Sequence, residues 1–203
     1  MARYEPRDHY FKRAKQEGFA ARSIYKLEEI DHAHKLFSRG MNVLDLGASP
    51  GSWTQYAAKA IGERGRVVAI DLKPLALPGR VPANVTAMVA DAFATEPAAL
   101  RAEIGGAGFD VVLSDMAPST TGDRFVDQQR STELCLRALD LAGSLLRQGG
   151  HFVVKALEGE STKEVQTKMK ELFASVKAVR PDSTRKGSTE VFIVGTARKG
   201  TRI

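Results

Sequence analysis

Residues 42 to 55 constrain the fold of this chain more than any other segment. They begin with a short apolar run, Val43 to Leu46, which is typical of a buried parallel strand. A turn with two glycines and a proline follows from Gly47 to Gly51, and residues 52 to 61 have the pattern of a helix. This order of elements builds nucleotide sites at the edge of α/β sheets, because glycines let a ligand approach the backbone and the helix N-terminus offers unpaired N–H groups.

The spacing of the two glycines narrows the type of ligand. The dinucleotide pattern G-x-G-x-x-G has one residue between its first two glycines, whereas three residues separate Gly47 from Gly51. The form Asp-Leu-Gly-x-x-x-Gly resembles motif I of the S-adenosylmethionine-dependent methyltransferases, whose cofactor has no pyrophosphate. A generic turn between a strand and a helix is the alternative interpretation of this stretch alone.

Acidic residues follow the next two predicted strands. The strand over residues 66 to 70 ends at Asp71, and the strand over residues 85 to 89 is followed by Asp91. A carboxylate at the first position can accept hydrogen bonds from ribose hydroxyls, and it lies at the distance from Gly47 that nucleotide-binding patterns require. A carboxylate at the second can accept from an adenine amino group. Either acid alone is more often a turn or cap residue, but together they predict a site at one edge of the sheet.

Two further strands bring charged residues to the same edge. Residues 109 to 114 form an apolar strand that leads into Asp115, and residues 151 to 154 form a strand with Lys155 at its tip. We expect a polar loop from residue 119 to residue 127 and a long helix over about residues 128 to 147 between them. A lysine at a desolvated strand edge is costly unless it is paired, so a functional role is predicted for Lys155.

The C-terminal part predicts one reversed strand. Strands are expected near residues 175 to 180 and 190 to 196, and the loop between them is too short for a crossover helix, so the pair should be antiparallel. We therefore predict an α/β fold with a single Rossmann-like methyltransferase domain over residues 1–203. Its seven-stranded sheet is mostly parallel, with one antiparallel strand near the C-terminus and helices on both faces.

The N-terminal region has a different composition from the core. Residues 1–35 are predicted to form two helices, rich in basic and aromatic side chains, that contribute to RNA binding, and residues 36–203 form the Rossmann-like core. Such a mixture can bind phosphates while stacking unpaired bases. The alternative is that the aromatic side chains anchor these helices onto the domain. The candidate RNA-binding residues are Arg7, Lys12, Arg13 and Arg22.

Composition excludes several classes of protein. The net charge is +6, and basic residues are concentrated at both ends of the chain, which favours a polyanionic partner over a pair of solvated tails. The single cysteine, Cys135, excludes an internal disulfide and is expected to be a small buried side chain. No Cys and His residues have metal-ligand spacing, and no signal core or membrane-spanning run is present, so we expect a cytoplasmic protein without a metal.

The motifs together resemble those of one family over essentially the whole chain. The chain is similar to the FtsJ/RrmJ-type ribose 2′-O-methyltransferases in the segments Asp-His-Tyr-Phe-Lys-Arg-Ala, Ser-Ile-Tyr-Lys-Leu, Asp-Leu-Gly-Ala-Ser-Pro-Gly-Ser-Trp, Ser-Asp-Met-Ala-Pro, Phe-Val-Val-Lys and Thr-Glu-Val-Phe-Ile-Val. The resemblance implies methyl transfer from S-adenosylmethionine to a uridine ribose of 23S rRNA, on free rRNA or on the large ribosomal subunit, by a monomer. One departure is Ser52, where many members have a second glycine.

The resemblance also implies roles for individual residues. The catalytic tetrad of the family falls on Lys26, Asp115, Lys155 and Glu190. Its cofactor contacts fall on Gly47, Gly51, Trp53, Asp71, Asp91 and Asp115. Trp53 would close over the methionine end of the cofactor, although a packing anchor is an equal alternative for this residue.

The chemistry of ribose methylation needs such a group. A 2′-hydroxyl is a poor nucleophile until its proton is taken up, and we hypothesise that Lys155 is the general base. Burial and the like charge of Lys26 favour the neutral amine, whereas the two acids of the tetrad favour the ammonium form. Sequence leaves the balance between these effects open.

Other functions remain as alternatives. A dinucleotide-dependent oxidoreductase would share the fold class, but the glycine spacing argues against it. A base-directed amino-methyltransferase would be expected to have Pro-Pro-aromatic where Ser-Asp-Met-Ala-Pro stands. A 2′-O-methyltransferase of another RNA, such as a tRNA loop, is the second choice among enzymes. A non-catalytic ribosome-assembly factor that binds RNA is the rival from another class.

Overall fold

The computed structural model describes residues 7–200, apart from the side chains of residues 7, 8, 160 and 161. The described strands are β1 (Asn42–Leu46), β2 (Arg66–Asp71), β3 (Val85–Val89), β4 (Phe109–Ser114), β5 (Leu146–Leu157), β6 (Phe173–Val179) and β7 (Glu190–Arg198). The described helices are α1 (Arg7–Gln16), α2 (Ile24–His34), α3 (Ser52–Ile61), α4 (Pro97–Ala102), α5 (Arg124–Leu145) and α6 (Glu160–Leu172).

The described strands form one seven-stranded sheet in the order β3-β2-β1-β4-β5-β7-β6. Strands β1 to β5 pair in parallel with one another, and β7 is antiparallel to both β5 and β6. The predicted fold class is confirmed, including the one reversed strand. Strand order turns back between β1 and β4, and ligands of open α/β sheets bind at such a switch point.

The core lies on both faces of the sheet. Side chains of α2 and α3, among them Leu27 and Ile61, pack on one face, and side chains of α4, α5 and α6, among them Leu100 and Met169, pack on the other. Helices on both faces explain why β4 is buried at every position and is mostly apolar, with Asp110 and Ser114 as its polar residues. Cys135 is buried in this core, as predicted.

Strand β5 is longer than predicted, which corrects the position of Lys155. The sequence placed this lysine at a strand tip, but β5 continues to Leu157 because it pairs with β7 up to Glu190. Its parallel partner β4 ends earlier, at the pair Ser114–Val154. Lys155 therefore lies inside a strand, but just beyond the end of the parallel part of the sheet.

The helix α5 begins earlier than predicted. The loop was expected to run to residue 127, but the helix starts at Arg124 because the carboxylate of Asp123 accepts hydrogen bonds from the N–H groups of Phe125 and Val126. This cap shortens the polar loop that follows β4. Fewer residues therefore connect Asp115 to the helix than the sequence predicted.

Candidate active site

A cavity of about 710 Å³ lies at the carboxyl ends of the parallel strands. We call it the edge cavity, and the predicted site residues in its wall are Gly47, Asp71, Asp91, Asp115 and Lys155. Each follows or ends a different one of the strands β1 to β4, except Lys155, which belongs to β5. The sheet edge therefore brings these separate sequence signals together, as the strand pattern predicted.

Two acids of the edge cavity are fixed by backbone groups. Asp71 accepts hydrogen bonds from the N–H groups of Ser49 (3.0 Å) and Lys73 (2.8 Å), one on each carboxylate oxygen. Asp91 accepts from the N–H of Phe93 at 2.9 Å. A carboxylate has about four acceptor positions, so both acids retain capacity for a ligand while their orientation is set by the chain.

Apolar side chains of the edge cavity were missed by the sequence interpretation. Leu72 and Phe93 line it and are 71% and 53% exposed, although large apolar side chains are usually covered. Each directly follows, or lies two positions after, a strand-end acid, which is the signal that could have found them. They present apolar surface beside Asp71 and Asp91, as a flat heterocycle would require.

Gly47 is required by a close approach of two strand ends. Its φ is +73°, and a Cβ built on it would lie 2.7 Å from the backbone nitrogen of Met116, directly after Asp115. A side chain would therefore push β4 away from the turn. Gly51 has φ +117° but does not line the edge cavity, and the side chain of Leu77 occupies the space where its Cβ would lie.

Trp53 does not line the edge cavity. Its ring is buried, its Nε1 donates to the carbonyl oxygen of Ser23 at 2.9 Å, and its centroid lies 5.7 Å from that of Phe192. These contacts join α3 to α2 and β7. The structure therefore favours the alternative interpretation of Trp53 as a packing anchor over a cover for the cofactor.

Lys155 and Asp115 form a tight pair at the end of β4. The Lys155 Nζ donates to the side-chain Oδ1 of Asp115 at 2.7 Å and to its main-chain carbonyl oxygen at 2.6 Å. The lysine side chain is 10% exposed and the aspartate side chain 22%. Two acceptors from one residue hold the nitrogen in a fixed position and leave one of its bonding directions for a ligand.

Lys26 and Glu190 form a second pair, between α2 and the start of β7. Their Nζ and Oε2 atoms are 2.6 Å apart, and Lys26 is 11% exposed. Burial raises the pKa of Glu190, but the hydrogen bond from Lys26 and the charges of Lys26 and Lys155 outweigh it, so the net pKa is lowered. The influence of Lys155 on Glu190 shows that the two ion pairs share one electrostatic environment.

A second cavity, of about 540 Å³, adjoins the tetrad from the other side. We call it the loop cavity, because residues of the loop between β6 and β7 form part of its wall. It is lined by Lys26, Glu190 and Asp115, together with other residues of α2 and that loop. Asp115 thus belongs to the walls of both cavities, with Lys155 in one and Lys26 in the other.

The four candidate RNA-binding residues have different surroundings. Arg22 lines the loop cavity. Arg13 pairs with Glu17 at 2.8 Å and lies over the ring of Tyr25, which is a contact within the N-terminal helices. Lys12 is on the exposed side of α1, and the side chain of Arg7 lies outside the described residues. Among the described side chains of this set, Arg22 is the one that lines a cavity together with residues of the tetrad.

Comparison with protein-family models shows which family this chain belongs to. The model of the FtsJ-like methyltransferases matches residues 19–198. The chain belongs to the FtsJ-like methyltransferase family. The match includes both cavities and all four residues of the tetrad.

Two relatives match the sequence of this chain over nearly their full length. A Bdellovibrio bacteriovorus protein named ribosomal RNA large subunit methyltransferase E is 51% identical over 97% of this chain and 99% of its own length. A protein of the same name from Nitratidesulfovibrio vulgaris (strain DP4) is 50% identical over 96% of this chain and 94% of its own. These relatives therefore share the whole domain and not a single motif.

Solved structures support the methyltransferase fold. A structure from Plasmodium falciparum, whose name assigns it to the ribosomal RNA methyltransferases, has a TM-score of 0.78 and 24% identity, covering 90% of this chain and 100% of that chain. Fibrillarin from Aeropyrum pernix, solved with natively bound S-adenosyl-L-methionine, has a TM-score of 0.56 and 17% identity, covering 86% of this chain and 76% of that chain. At these identities the likeness establishes the fold.

The described part of this methyltransferase holds neither a metal site nor a membrane span. Within residues 7–200, no group of three or more His, Cys, Asp or Glu side chains is placed to hold a metal ion. Over the same range, no helix is long and apolar enough to cross a bilayer.

A buried acid, Asp45, lies in β1 beneath the site of this family member. Its side chain is fully buried, its Oδ2 accepts from the Thr54 hydroxyl at 2.6 Å, and its Oδ1 has no partner among the described residues. Burial, with the charges of Asp115 and Asp71, raises the pKa of Asp45 to about 7, although the Thr54 hydrogen bond acts in the opposite direction. The protonation of this carboxyl is therefore coupled to folding.

Replacing Asp45 with asparagine is expected to remove a pH dependence of stability. Because the folded-state pKa lies above the ordinary value of 3.8, the folded state binds the proton more readily than the unfolded state. The free energy of unfolding therefore falls as the pH rises from 3.8 to about 7. The full effect is roughly 4 kcal/mol at about 1.4 kcal/mol for each pKa unit. Asparagine stays neutral and still accepts a hydrogen bond from Thr54. In urea unfolding, the free energy of unfolding of the variant minus that of the wild type should therefore be larger at about pH 8 than at about pH 5. A difference that does not change with pH would contradict this assignment.

Proposed function

We propose that this protein transfers a methyl group from S-adenosylmethionine to the 2′-hydroxyl of a uridine ribose in 23S rRNA, on the large ribosomal subunit during late assembly. One observation carries the proposal. Asp115 lies in the wall of two cavities, with Lys155 in the edge cavity and Lys26 and Glu190 in the loop cavity. A reaction between two bound substrates needs two cavities that meet at the same residue, because the reacting atoms must be held roughly 3 Å apart and in line.

The edge cavity fits the methyl donor. Asp71 has acceptor capacity for ribose hydroxyls and Asp91 for an adenine amino group, while Leu72 and Phe93 offer apolar surface to the adenine ring. The absence of a pyrophosphate in this cofactor agrees with a turn that has no dinucleotide glycine pattern. When it is bound, S-adenosylmethionine supplies an electrophilic methyl group on a positively charged sulfur.

Lys155 is the proposed general base. The backbone carbonyl and carboxylate of Asp115 orient its Nζ toward the wall between the cavities, where it can accept the proton of a ribose 2′-hydroxyl. To act as a base, the Lys155 ammonium group must first release one proton to solvent.

Lys26 and Glu190 are proposed to orient the acceptor. Glu190 is ionised at neutral pH, because its pKa is lowered, and it holds the Lys26 Nζ on the side of the loop cavity. From there the ammonium can donate to an oxygen of the acceptor ribose and stabilise negative charge that develops on it. The pair thus acts on the acceptor, whereas Lys155 and Asp115 act on the proton.

The names of the relatives and the positive net charge support ribosomal RNA as the proposed substrate. The relatives are named as methyltransferases of the large-subunit ribosomal RNA, and the chain has a net charge of +6. All four residues of the tetrad meet within one chain, in two ion pairs, which supports action as a monomer. The cytoplasm is the proposed compartment, since ribosomal RNA is the proposed substrate.

The substrate assignment is tested by offering purified protein labelled S-adenosylmethionine with three acceptors separately. These are large subunits from cells that lack this modification, protein-free 23S rRNA and bulk tRNA. We expect transfer to the large subunit or its rRNA and none above background to tRNA. Transfer to tRNA alone would move the function to the second enzyme class, and binding of RNA without any transfer would support the non-catalytic alternative.

A further inference from the structure

The part of β5 that carries Lys155 lacks one of its two strand neighbours. Parallel pairing with β4 ends at the pair Ser114–Val154, whereas β5 continues to Leu157 and there pairs with β7. Successive residues of a strand direct their backbone groups to opposite neighbours, so part of the backbone in this segment faces the side where β4 has ended. Backbone groups that are shielded from water need a hydrogen-bond partner, so another element must supply it here.

Side chains of α5 replace the missing strand. The N–H of Leu157 donates to the hydroxyl oxygen of Ser131 at 3.1 Å, and the thiol of Cys135 donates to the carbonyl oxygen of Lys155 at 3.2 Å. Ser131 and Cys135 lie four positions apart, on one face of α5, and both are buried. The helix therefore supplies one acceptor and one donor to backbone groups that β4 does not reach.

Two further side chains continue this replacement to the residue after β5. The hydroxyl of Thr162 donates to the carbonyl oxygen of Leu157 at 3.1 Å. The side-chain amide of Gln128 donates to the carbonyl oxygen of Glu158 at 2.9 Å, and Gln128 precedes Ser131 by three positions on α5. The segment that begins at Lys155 is thus bonded to helix side chains where the shorter strands of the sheet have ended.

The first turns of α5 also hold the other member of the Lys155–Asp115 pair. Asp127 accepts hydrogen bonds from the N–H (2.8 Å) and the hydroxyl (2.9 Å) of Thr121, which belongs to the loop that follows Asp115. The hydrogen bond from the Thr121 backbone, together with that from its hydroxyl, lowers the pKa of Asp127, so this carboxylate is charged at neutral pH. One helix therefore fixes both the loop after Asp115 and the strand segment that carries Lys155.

The α5 contacts act on Lys155 through its backbone. Val154 and Ala156 pack in the same core as Cys135, on the face of the sheet that α5 covers. Because side chains alternate along a strand, the side chain of Lys155 projects to the opposite face. Ser131 and Cys135 do not line the edge cavity. Changing either residue would therefore move the lysine without removing a group from the wall of that cavity.

From this arrangement we propose that Ser131 and Cys135 are positioning residues for methyl transfer, which hold the β5 backbone so that the Lys155 Nζ stays in place beside Asp115. The inference rests on the proposed function, because it takes Lys155 as the general base. A misplacement of about 1 Å at a reacting group can lower turnover by about a hundredfold. Loss of either contact is therefore expected to act on turnover more than on substrate binding.

Four single variants test the two residues. Ser131→Ala removes the acceptor of the Leu157 N–H. Its matched control is Thr132→Ala, at the next position of the same helix, where a buried hydroxyl donates within α5 to the carbonyl oxygen of Gln128 at 2.9 Å. Cys135→Ala removes the donor to β5, whereas Cys135→Ser keeps a donor of similar size. Turnover is expressed per molecule that binds S-adenosylmethionine, so that partial unfolding does not imitate a positioning effect.

The first measurement is steady-state methyl transfer to unmodified large subunits. Ser131→Ala and Cys135→Ala should each lower kcat by about tenfold, while KM for both substrates stays within about twofold of the wild type. Thr132→Ala and Cys135→Ser should have a kcat close to that of the wild type. A wild-type kcat in either alanine variant would overturn the role of that residue, and an equal loss in Thr132→Ala would overturn the proposal as a whole.

A combined variant separates positioning from a general loss of structure. In a Lys155→Met background, Ser131→Ala should lower the residual single-turnover rate no further, because the group that Ser131 positions is already absent. A structural defect would reduce the residual rate by the same factor as in the wild type. A further loss of about tenfold in this background would therefore contradict the positioning role.

Hydrogen exchange at the Leu157 amide tests the contact without any methyl transfer. Exchange should be about tenfold or more faster in Ser131→Ala than in the wild type, and unchanged in Thr132→Ala. An exchange rate in Ser131→Ala equal to that of the wild type would overturn the inference. If the wild type transferred no methyl group, the proposed function would fail, and with it the role of Lys155 as base. The exchange rates would still show whether Ser131 holds this segment of β5.

Discussion

Replacing Lys155 with methionine is expected to lower kcat by roughly a hundredfold to ten-thousandfold, the usual range for loss of a general base. Methionine keeps an unbranched side chain of similar length within β5, so the sheet should form as before. Affinity for S-adenosylmethionine should change much less than turnover, because the other lining residues of the edge cavity remain. Single-turnover methyl transfer and cofactor titration measure the two quantities.

A matched control and a second variant sharpen this test. Lys168→Met removes an exposed lysine of α6, paired with Glu164 at 3.2 Å, and should leave turnover unchanged. Lys155→Arg keeps the positive charge and can still pair with Asp115, but a guanidinium does not release its proton in a protein. The arginine variant should therefore be nearly as inactive as the methionine variant. Near-normal turnover of the methionine variant, or substantial activity with arginine, would show that Lys155 is not the base.

The Asp115→Asn variant should lose about tenfold to hundredfold in kcat/KM, because a hydrogen bond to a charged group is worth about 1.5–3 kcal/mol. The amide keeps the size of the side chain, and the main-chain carbonyl that accepts from Lys155 is unaffected. What is lost is the negative charge in the wall that both cavities share. We expect the effect in steady-state kinetics with either substrate varied, since both are proposed to bind against this wall.

The comparison variant is Asp140→Asn, which removes an exposed carboxylate paired with Arg137 on α5. It should be silent in the same assay. Combining Asp115→Asn with Lys155→Met should cost far less than the sum of the single effects, because residues that act as a unit are not additive. Independent, additive losses would indicate that the pair seen at 2.7 Å does not operate together.

Local patterns predicted the parts of the fold that depend on neighbouring residues. The strand, turn and helix around Gly47 were predicted from one short segment, and the helix bounds Ser52–Ile61 agree. The reason for the glycine was not visible, because its constraint comes from the backbone of Met116, which arrives through β4. A contact between distant segments leaves no mark in the pattern of either segment.

The same reasoning explains why the sequence misplaced Lys155 and left two alternatives open for Trp53. Lys155 was placed at a strand tip because the apolar run ends there. Its strand is in fact extended by pairing with β7, which lies more than 30 residues further along the chain. The direction of the Trp53 ring depends on Phe192 and on the carbonyl of Ser23, and neither adjoins it in sequence. Strand pairing and side-chain direction are tertiary properties.

The basic residues that line the loop cavity show what composition alone leaves out. Basic residues at the ends of the chain predicted a polyanionic partner, but not that Arg185 would meet Arg22 across one cavity. That meeting depends on Glu29, which holds the loop against α2. Charge counts predict the type of partner, whereas the backbone contacts determine which charged residues come together.

The central claim is that the tetrad between the two cavities methylates a ribose oxygen of large-subunit RNA. It is tested most directly by incubating wild-type protein with unmodified large subunits and labelled S-adenosylmethionine, followed by alkaline hydrolysis of the RNA. A 2′-O-methyl group protects the adjacent linkage, so we predict the label in a single alkali-resistant dinucleotide that begins with a methylated uridine, and its loss in the Lys155→Met variant. Label recovered in mononucleotides, as a methylated base would give, or no transfer at all, would contradict the account.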